Sequence, residues 1–224
     1  MGGAASMRLL AASSWPLALT PQTSPRCEKS GRVYCSSPHV SMPPSKISAT
    51  LSLILNSSVI ACLRASSAEI AYEAATAALS GGISVLEIVM STPGVFQVVK
   101  KLVQHHPAMT IGVGTVLSAE DALNAMNAGA KFLMSPAMVK DIMDEVQDGE
   151  VLYIPGVMTP TEILSAYGYG AKIVKVYPVS ALGGVQYMSA LKKPFPHIPM
   201  VASQGITIGL CIEKSRLFFL LTLR

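Results

Sequence analysis

Strand-like and helix-like patterns alternate regularly along most of this chain. Short apolar runs of strand length, bounded by glycine, proline or serine, are each followed by a segment with helical character. Because parallel strands need a helical crossover between them, this alternation predicts a parallel sheet covered by helices, the α/β class. The seven predicted strands cover residues 59–64, 84–90, 110–116, 131–135, 151–157, 172–177 and 200–203.

Helix start signals follow several of these strands. The strongest is Thr159-Pro160-Thr161-Glu162, which combines an N-cap threonine, a proline at the first helical position and a glutamate that completes a capping box. Such signals place the helices between the strands and support the βα alternation. Weaker start signals are Ser66 with Glu69, Thr92 before Pro93, and Ser118 with Asp121, and a short helix is expected over residues 47–56.

An internal repeat favours a barrel over an open sheet. Residues 127–136 and 167–178 share a helix end, the sequence Gly-Ala-Lys, an apolar strand and a proline. In a barrel of parallel strands, side chains at the carboxyl ends of the strands face the active site. The residues at or near such ends are Arg64, Glu87, Thr115, Pro155 and Lys175.

Two of these residues carry charge within otherwise apolar strands. Lys175 lies in Ile173-Val174-Lys175-Val176-Tyr177, and Glu87 lies in Val85-Leu86-Glu87-Ile88-Val89. Burial disfavours the charged form of a lysine and leaves a nucleophilic amine. An amine and a carboxylate in one core indicate imine chemistry with a proton shuttle. The alternatives are a structural ion pair and a lysine at a strand end whose charged head reaches water.

The composition argues against several other classes of function. The chain of 224 residues is 50% apolar and 13% charged, which suits one domain with a large core. A net charge of +4 without a basic stripe argues against nucleic acid. The apolar runs are too short for a membrane span. The four cysteines show no metal-ligand spacing, so we expect neither a disulfide framework nor a metal.

The first 45 residues differ from the rest of the chain. Serine and proline recur, arginine is present from Arg8 onward, and the first acidic residue is Glu28. This composition is typical of a disordered organelle transit peptide, and a disordered tail without an address also fits it. The excess of serine favours the chloroplast, with the mitochondrion as the alternative.

A series of short motifs runs along residues 59–206: VIACLRA at 59–65, GGISVLEI at 81–88, GVGTVL at 112–117, SP at 135–136, IPGV at 154–157, KIVKVYP at 172–178 and GG at 183–184. In this order and spacing they resemble the family of 2-keto-3-deoxy-6-phosphogluconate (KDPG) and 4-hydroxy-2-oxoglutarate (KHG) aldolases. The resemblance implies a (β/α)8 TIM barrel of the class I aldolase type, a lyase that needs no cofactor or metal and is commonly a homotrimer. It implies a small-molecule 2-oxo acid as substrate and pyruvate plus an aldehyde as products.

The resemblance also implies roles for individual residues. Lys175 matches the Schiff-base lysine of the family, and Glu87 matches its general acid/base. Thr115 matches a threonine that contacts the pyruvyl carboxylate, and Arg64 matches an arginine at the substrate site. The remaining residues expected to bind substrate are Pro155, Tyr177, Gly183, Gly184, Ser203 and Gly205.

Two positions near the expected site depart from the family pattern. Ser91 stands where many members carry an arginine that holds the substrate carboxylate. Gln204 replaces one glycine of a pair that cradles phosphate with its backbone N–H groups. The second departure weakens the case for a phosphorylated substrate.

The carboxyl-terminal end departs most. The family pattern stops after residue 209, so we expect a barrel over 46–209 and a divergent tail over 210–224. The eighth βα unit is then missing or replaced, which would leave two open strand edges. The tail itself reads as a substitute strand or a surface helix.

The divergent end leaves two main functions open. The first is an aldolase that cleaves a 2-keto-3-deoxy sugar acid or 4-hydroxy-2-oxoglutarate. The second is a non-catalytic barrel relative that acts as a binding or assembly subunit. A phosphate-binding barrel such as an epimerase is a third, weaker reading.

Overall fold

The computed structural model of the protein describes residues 45–146, 150–205 and 218–223. All of them belong to one compact unit, Met42–Arg224. The predicted leader up to residue 44 and residues 206–217 lie outside the described residues. No helix in the described ranges is both long and apolar enough to cross a bilayer.

The described chain alternates strands and helices as the sequence predicts, with boundaries that agree to within a few residues. The strands are β1 (Val59–Leu63), β2 (Val85–Val89), β3 (Thr110–Gly114), β4 (Phe132–Met134), β5 (Leu152–Ile154), β6 (Gly156–Val157), β7 (Val174–Val176), β8 (Met200–Ser203) and β9 (Phe218–Leu223). The helices are α1 (Lys46–Ser57), α2 (Ala68–Ser80), α3 (Val95–His105), α4 (Ala119–Asn127), α5 (Lys140–Glu145), α6 (Pro160–Gly168) and α7 (Gly184–Lys192), with a 3₁₀ helix at Val179–Leu182.

The strands form one parallel sheet that closes on itself. Its order is β5-β4-β3-β2-β1-β9-β8-β7-β6. The two strands at the ends of this order, β5 and β6, are separated in the chain by Pro155 alone. Proline has no N–H for the ladder, so the break between them falls where a proline interrupts one continuous strand. The ring of pairings is therefore continuous, and the architecture is a barrel of the TIM type.

The barrel is not open where the sequence predicts a missing unit. β9 lies in parallel between β8 and β1, with Leu220 opposite Ser203 and Thr222 opposite Cys62. Without a strand between them, β1 and β8 would expose unpaired N–H and C=O groups on their edges. Phe218–Leu223 at the end of the tail pairs with both edges. Of the two alternatives for the tail, the strand is observed, and the surface helix is wrong for Phe218–Leu223.

Side chains alternate between the inside of the ring and the layer beneath the helices, because the side-chain period of a strand is two. The inner cluster includes Ile60, Val85, Val89 and Ile173, and Ile54 of α1 packs into it. A second, larger cluster fills the layer between strands and helices, and its strand members include Leu86, Ile88, Val113, Val174 and Val176. Glu87 and Lys175 fall on the inward positions of β2 and β7.

Two predicted helix starts are confirmed. Thr159 accepts a hydrogen bond from the Glu162 N–H, and the Glu162 carboxylate accepts one from the Thr159 N–H, which completes the capping box of α6. At the start of α4, the Ser118 side chain accepts a hydrogen bond from the Asp121 N–H.

Two other predicted starts are wrong. α2 is capped by Ser67, whose side chain accepts from the Ile70 N–H, and not by Ser66. α3 begins at Val95 after Gly94 at φ 68°, so Thr92 is not its N-cap. The Thr92 N–H donates to the Val89 carbonyl. This turn keeps Thr92 outside the helix.

Candidate active site

A cavity of about 260 Å³ opens at the carboxyl ends of the strands. Its walls come from the ends of β1, β2, β7 and β8 and from the turns that follow β3 and β4. Parallel strands bring these positions to one face of a barrel although they are far apart in sequence. The lining residues are Cys62, Arg64, Glu87, Val89, Thr115, Pro136, Lys175, Tyr177, Ser203 and Gln204.

Lys175 and Glu87 lie on opposite sides of the ring. Between β2 and β7 the sheet order places β1, β9 and β8 on one side, and β3, β4 and the interrupted strand β5–β6 on the other. Both side chains line the cavity, yet only 5% of Lys175 and 1% of Glu87 are exposed. The ring therefore holds a buried amine and a buried carboxylate facing one small space.

Lys175 is positioned by its backbone and by an aromatic neighbour. Its N–H donates to the Pro155 carbonyl at 2.9 Å, which ties β7 to the break in the neighbouring strand. Its Nζ lies 5.4 Å from the centroid of the Tyr177 ring. No acidic side chain among the described residues forms a salt bridge with Lys175. The alternative of a structural ion pair therefore has no support.

The Glu87 carboxylate occupies space that a glycine leaves open. A Cβ atom at Gly114 of β3 would collide with Oε1 of Glu87. The other oxygen, Oε2, is buried and has no hydrogen-bond partner among the described residues. Buried polar atoms are nearly always paired, so an unpaired carboxylate oxygen in a cavity indicates a place for a substrate atom.

The cavity also holds a thiol that stays protonated. Burial of Cys62 is the main cause that raises its pKa to about 12, and the negative charge of Glu87 and a hydrogen bond to that carboxylate add to the rise. Lys175 and Arg64 act in the opposite direction but are weaker. Cys62 is consequently a neutral donor and not a thiolate nucleophile at ordinary pH.

Two residues on the rim adopt a backbone conformation that side chains disfavour. Thr115 has φ 61° and Gln204 has φ 73°, both in the left-handed region. This region is especially costly for a β-branched residue such as threonine. Strained backbone at a cavity is a common mark of function, because the surrounding structure must hold it there.

Six of the ten site residues expected from the sequence line the cavity, and four lie elsewhere. Pro155 is buried behind Lys175. Gly183 lies between the 3₁₀ helix and α7 at φ 105°, and Gly184 is the first residue of α7 at φ 64°. Gly205 packs against Ser180, since a Cβ atom at that glycine would collide with the serine side chain. The six in the lining are Arg64, Glu87, Thr115, Lys175, Tyr177 and Ser203.

The cavity includes residues that the sequence reasoning did not assign to the site. Cys62 precedes Arg64 by two positions and Val89 follows Glu87 by two, so the strand period already placed them on the same face. Pro136 ends the first copy of the internal repeat, and Gly156 leaves room for its backbone. Gln204, noted only as a departure from the family pattern, also lines the cavity.

Comparisons with known proteins identify the family of this chain. The family model "KDPG and KHG aldolase" matches residues 51–212. A 2-dehydro-3-deoxy-phosphogluconate aldolase of Pseudoalteromonas atlantica is 35% identical over 133 residues, which are 59% of this chain and 62% of that protein. The KHG/KDPG aldolase of Escherichia coli is 28% identical over 156 residues, 70% of this chain and 73% of its own length. The chain thus matches less than two thirds of the first relative.

A solved structure gives the same result for the fold. The KDPG aldolase of Legionella pneumophila, with pyruvate captured at low pH as a covalent carbinolamine intermediate, superposes with a TM-score of 0.71 and 27% identity. The superposition covers 77% of this chain and 85% of that structure. By the family match, the related sequences and the shared architecture, the chain belongs to the KDPG and KHG aldolase family.

Proposed function

We propose that this protein is a class I aldolase that forms a Schiff base on Lys175. It cleaves a 2-keto-3-deoxy sugar acid of the 6-phosphogluconate type, or 4-hydroxy-2-oxoglutarate, to pyruvate and an aldehyde. The observation that carries the proposal is the pairing of a buried amine and a buried carboxylate across one cavity. The related Legionella enzyme, which was captured with pyruvate as a carbinolamine, supports it.

The reaction begins at the side-chain amine of Lys175. Nζ of Lys175 attacks C2 of the 2-oxo acid to give a carbinolamine, which loses water and becomes an iminium ion. The low exposure of Lys175 and its lack of a described acidic partner leave the nitrogen available for this attack. The iminium then serves as the electron sink for carbon–carbon cleavage.

The carboxylate moves the protons. Glu87 removes the proton from the C4 hydroxyl, the C3–C4 bond breaks, and its electrons pass to the iminium to give an enamine and a free aldehyde. Glu87 returns the proton to C3 of the enamine, and water releases pyruvate from Lys175. The unpaired Oε2 of Glu87 is the atom suited to this exchange.

Polar groups at the cavity mouth orient the substrate. Among the described lining residues, Arg64 is the cation besides Lys175, and a guanidinium binds a carboxylate through two hydrogen bonds. The Thr115 hydroxyl and Ser203 add neutral donors. With one cation for anion binding, the described lining accommodates the carboxylate of the substrate more readily than an additional phosphate.

The non-catalytic alternative is not favoured. It depended on a barrel without its last strand, and β9 pairs with both β1 and β8. A subunit kept only for assembly would also have no use for a buried amine opposite a carboxylate.

The test is reductive trapping of the imine. The full-length protein is incubated with pyruvate and borohydride and then digested, and we expect the mass of a reduced pyruvyl adduct on Lys175. The variant Lys175→Met should not be labelled. Lys172→Met is the matched control, because Lys172 is exposed near the start of the same strand, and it should be labelled like the unsubstituted protein. Absence of labelling in folded protein would reject the proposal.

We also propose that residues 1–45 direct the protein to the chloroplast. The support is their content of serine and arginine and the scarcity of acidic residues. Fused to a fluorescent protein in plant cells, this segment should co-localise with chlorophyll. Co-localisation with a mitochondrial marker would contradict the plastid assignment.

We propose further that the protein assembles as a homotrimer. Apolar side chains such as Ile70, Leu117 and Leu164 are each more than half exposed, and surface of this kind favours association. Light scattering on the eluting protein should give three times the protomer mass, and a monomer at micromolar concentration would contradict this.

A further inference from the structure

We propose that Cys62 is a positioning residue for Glu87, whose thiol donates a hydrogen bond to the carboxylate and holds it so that Oε2 faces the substrate. The inference rests on the proposed function of Glu87 as the proton carrier. It assigns a role in the reaction to a residue that lies within the motif at 59–65 but is not among the expected site residues.

The sheet register brings the two side chains together. Cys62 and Glu87 are Cα partners on the adjacent parallel strands β1 and β2. Both lie on the inward face, both line the cavity, and Cys62 is only 5% exposed. Neighbours in register on one face of a sheet are within side-chain reach of each other, so the contact follows from the strand pairing itself.

On the β3 side of Glu87, the described strand offers glycines and no side chain that could hold the carboxylate. The register partner of Glu87 on β3 is Gly112, and the glycine beside its carboxylate is Gly114. These glycines leave space for the carboxylate but donate nothing from a side chain. Among the described residues, Oε2 has no partner. The thiol on the β1 side is therefore the group that restrains an otherwise loosely held carboxylate.

The electrostatic setting keeps the thiol in its donor form. The pKa of Cys62 is raised to about 12 by burial, by the charge of Glu87 and by the hydrogen bond between them. The other charged or titratable groups in the lining are Arg64 from β1 and Lys175 and Tyr177 from β7; the β3, β4 and β8 sides contribute uncharged residues. A protonated thiol is a weak donor, so it orients the carboxylate without removing its capacity to take up a proton.

The experiment separates imine formation from proton transfer. In D2O, the aldolase exchanges the methyl hydrogens of pyruvate: Lys175 forms the iminium with loss of water, Glu87 removes a C3 proton to give the enamine, and a deuteron returns to C3. Borohydride trapping reports the first step, and loss of the methyl proton signal of pyruvate reports the second. Both are measured on the full-length chain together with its melting temperature.

The matched pair is Cys62→Ala and Cys62→Ser, which are nearly equal in size and differ in the donor. We expect imine trapping in both, with exchange about tenfold slower in Cys62→Ala, the effect of losing one hydrogen bond to a charged group. Cys62→Ser should stay within about threefold of the unsubstituted protein, because its hydroxyl restores the donor. Cys62→Val fills the space without a donor and should behave like the alanine variant.

Other outcomes overturn the proposal. If imine trapping persists but exchange is the same in the alanine and serine variants, Cys62 acts only through packing or not at all. If neither the alanine nor the valine variant folds, its role is structural. If the unsubstituted protein is folded but forms no imine with pyruvate, the proposed aldolase function is wrong, and the inference about Cys62 is wrong with it. If the Cys62→Ala variant shows normal imine trapping and an unchanged rate of pyruvate exchange, only the inference about Cys62 is rejected.

Discussion

At the level of single residues, the site depends on two glycines, whose lack of a side chain leaves room for neighbouring groups. Gly114 leaves the space that the Glu87 carboxylate fills, and Gly156 leaves the space for the backbone at Pro136. Glycine in a strand costs stability because it packs nothing and loses entropy on folding. Here that cost is offset because the two glycines let Glu87 and Pro136 come close enough to line the cavity.

We expect Gly114→Ala to impair cleavage without unfolding the protein. The new Cβ atom meets the end of a flexible side chain, so the carboxylate can move away. A displacement of about 1 Å in a catalytic group lowers the rate by roughly 100-fold. Pyruvate release from candidate substrates measures the loss. Gly168→Ala is the control, because nothing lies within 4 Å of a Cβ atom there, and it should leave the rate unchanged. Equal rates in both variants would contradict the assigned role of Glu87.

The pKa of Cys62 predicts a loss of stability in alkali. Its folded value is raised from 9.0 to about 12, so above pH 9 the unfolded chain gives up the thiol proton first. The stability that the protonated Cys62 thiol contributes is fully present below pH 9 and is lost as the pH rises towards 12. The free energy of unfolding falls over this range by up to about 1.4 kcal/mol per pH unit. Urea unfolding at pH 8 and pH 10.5 should show a smaller loss for Cys62→Ser than for the unsubstituted protein. Parallel losses would show that the thiol titrates alike in both states.

At the level of elements, helix starts differ in how much the local sequence controls them. α6 has a complete capping box with proline at its beginning, all readable from four consecutive residues. α3 begins at Gly94 with no capping side chain. Its start is controlled by the turn after β2, which the sequence pattern around Thr92 does not reveal. Local signals therefore locate the starts of α6 and α4, which a side chain caps, and miss the start of α3, which no side chain caps.

Thr159→Ala should destabilise the protein by about 1 kcal/mol, the usual cost of losing an N-cap side chain. The hydrogen bond from the Glu162 N–H would then have no acceptor. Thr161→Ala lies two residues further along on the exposed side of α6 and should be close to neutral. The free energies of unfolding in urea decide between them. Equal values for the two variants would show that the capping box contributes nothing.

For the molecule as a whole, closure of the ring is the property on which the site depends. β9 pairs with β8 and β1, and these two strands carry Ser203 and Cys62 at the cavity. Without β9, both strands would present unpaired backbone groups, and they would be connected only through the far side of the ring. The closed ring and the shape of the cavity therefore both depend on Phe218–Leu223.

Replacing residues 218–223 by a glycine–serine segment of equal length should abolish cooperative unfolding and imine trapping together. The expected cause is the loss of a central strand, with aggregation through the exposed edges of β1 and β8. Thermal unfolding and size-exclusion chromatography measure the outcome. A chain in which residues 2–7 of the leader are replaced in the same way is the control and should unfold as before. A cooperative transition at an unchanged temperature would show that β9 is dispensable.

Short-range patterns in the sequence determine much of the secondary structure and the residue types of the site. The alternation of strands and helices, the capping box at Thr159 and the charged residues Lys175 and Glu87 within apolar strands could all be read directly, because periodicity and capping act over a few neighbouring residues. The same patterns do not say which strands pair. Pairing between distant segments decides the rest. It places Lys175 opposite Glu87 across the ring and Cys62 beside Glu87. It also buries Pro155 behind the lysine and inserts β9 between β8 and β1. Such pairing depends on backbone groups that are alike in every residue except proline, so only the tertiary structure decides the order and register of the closed sheet.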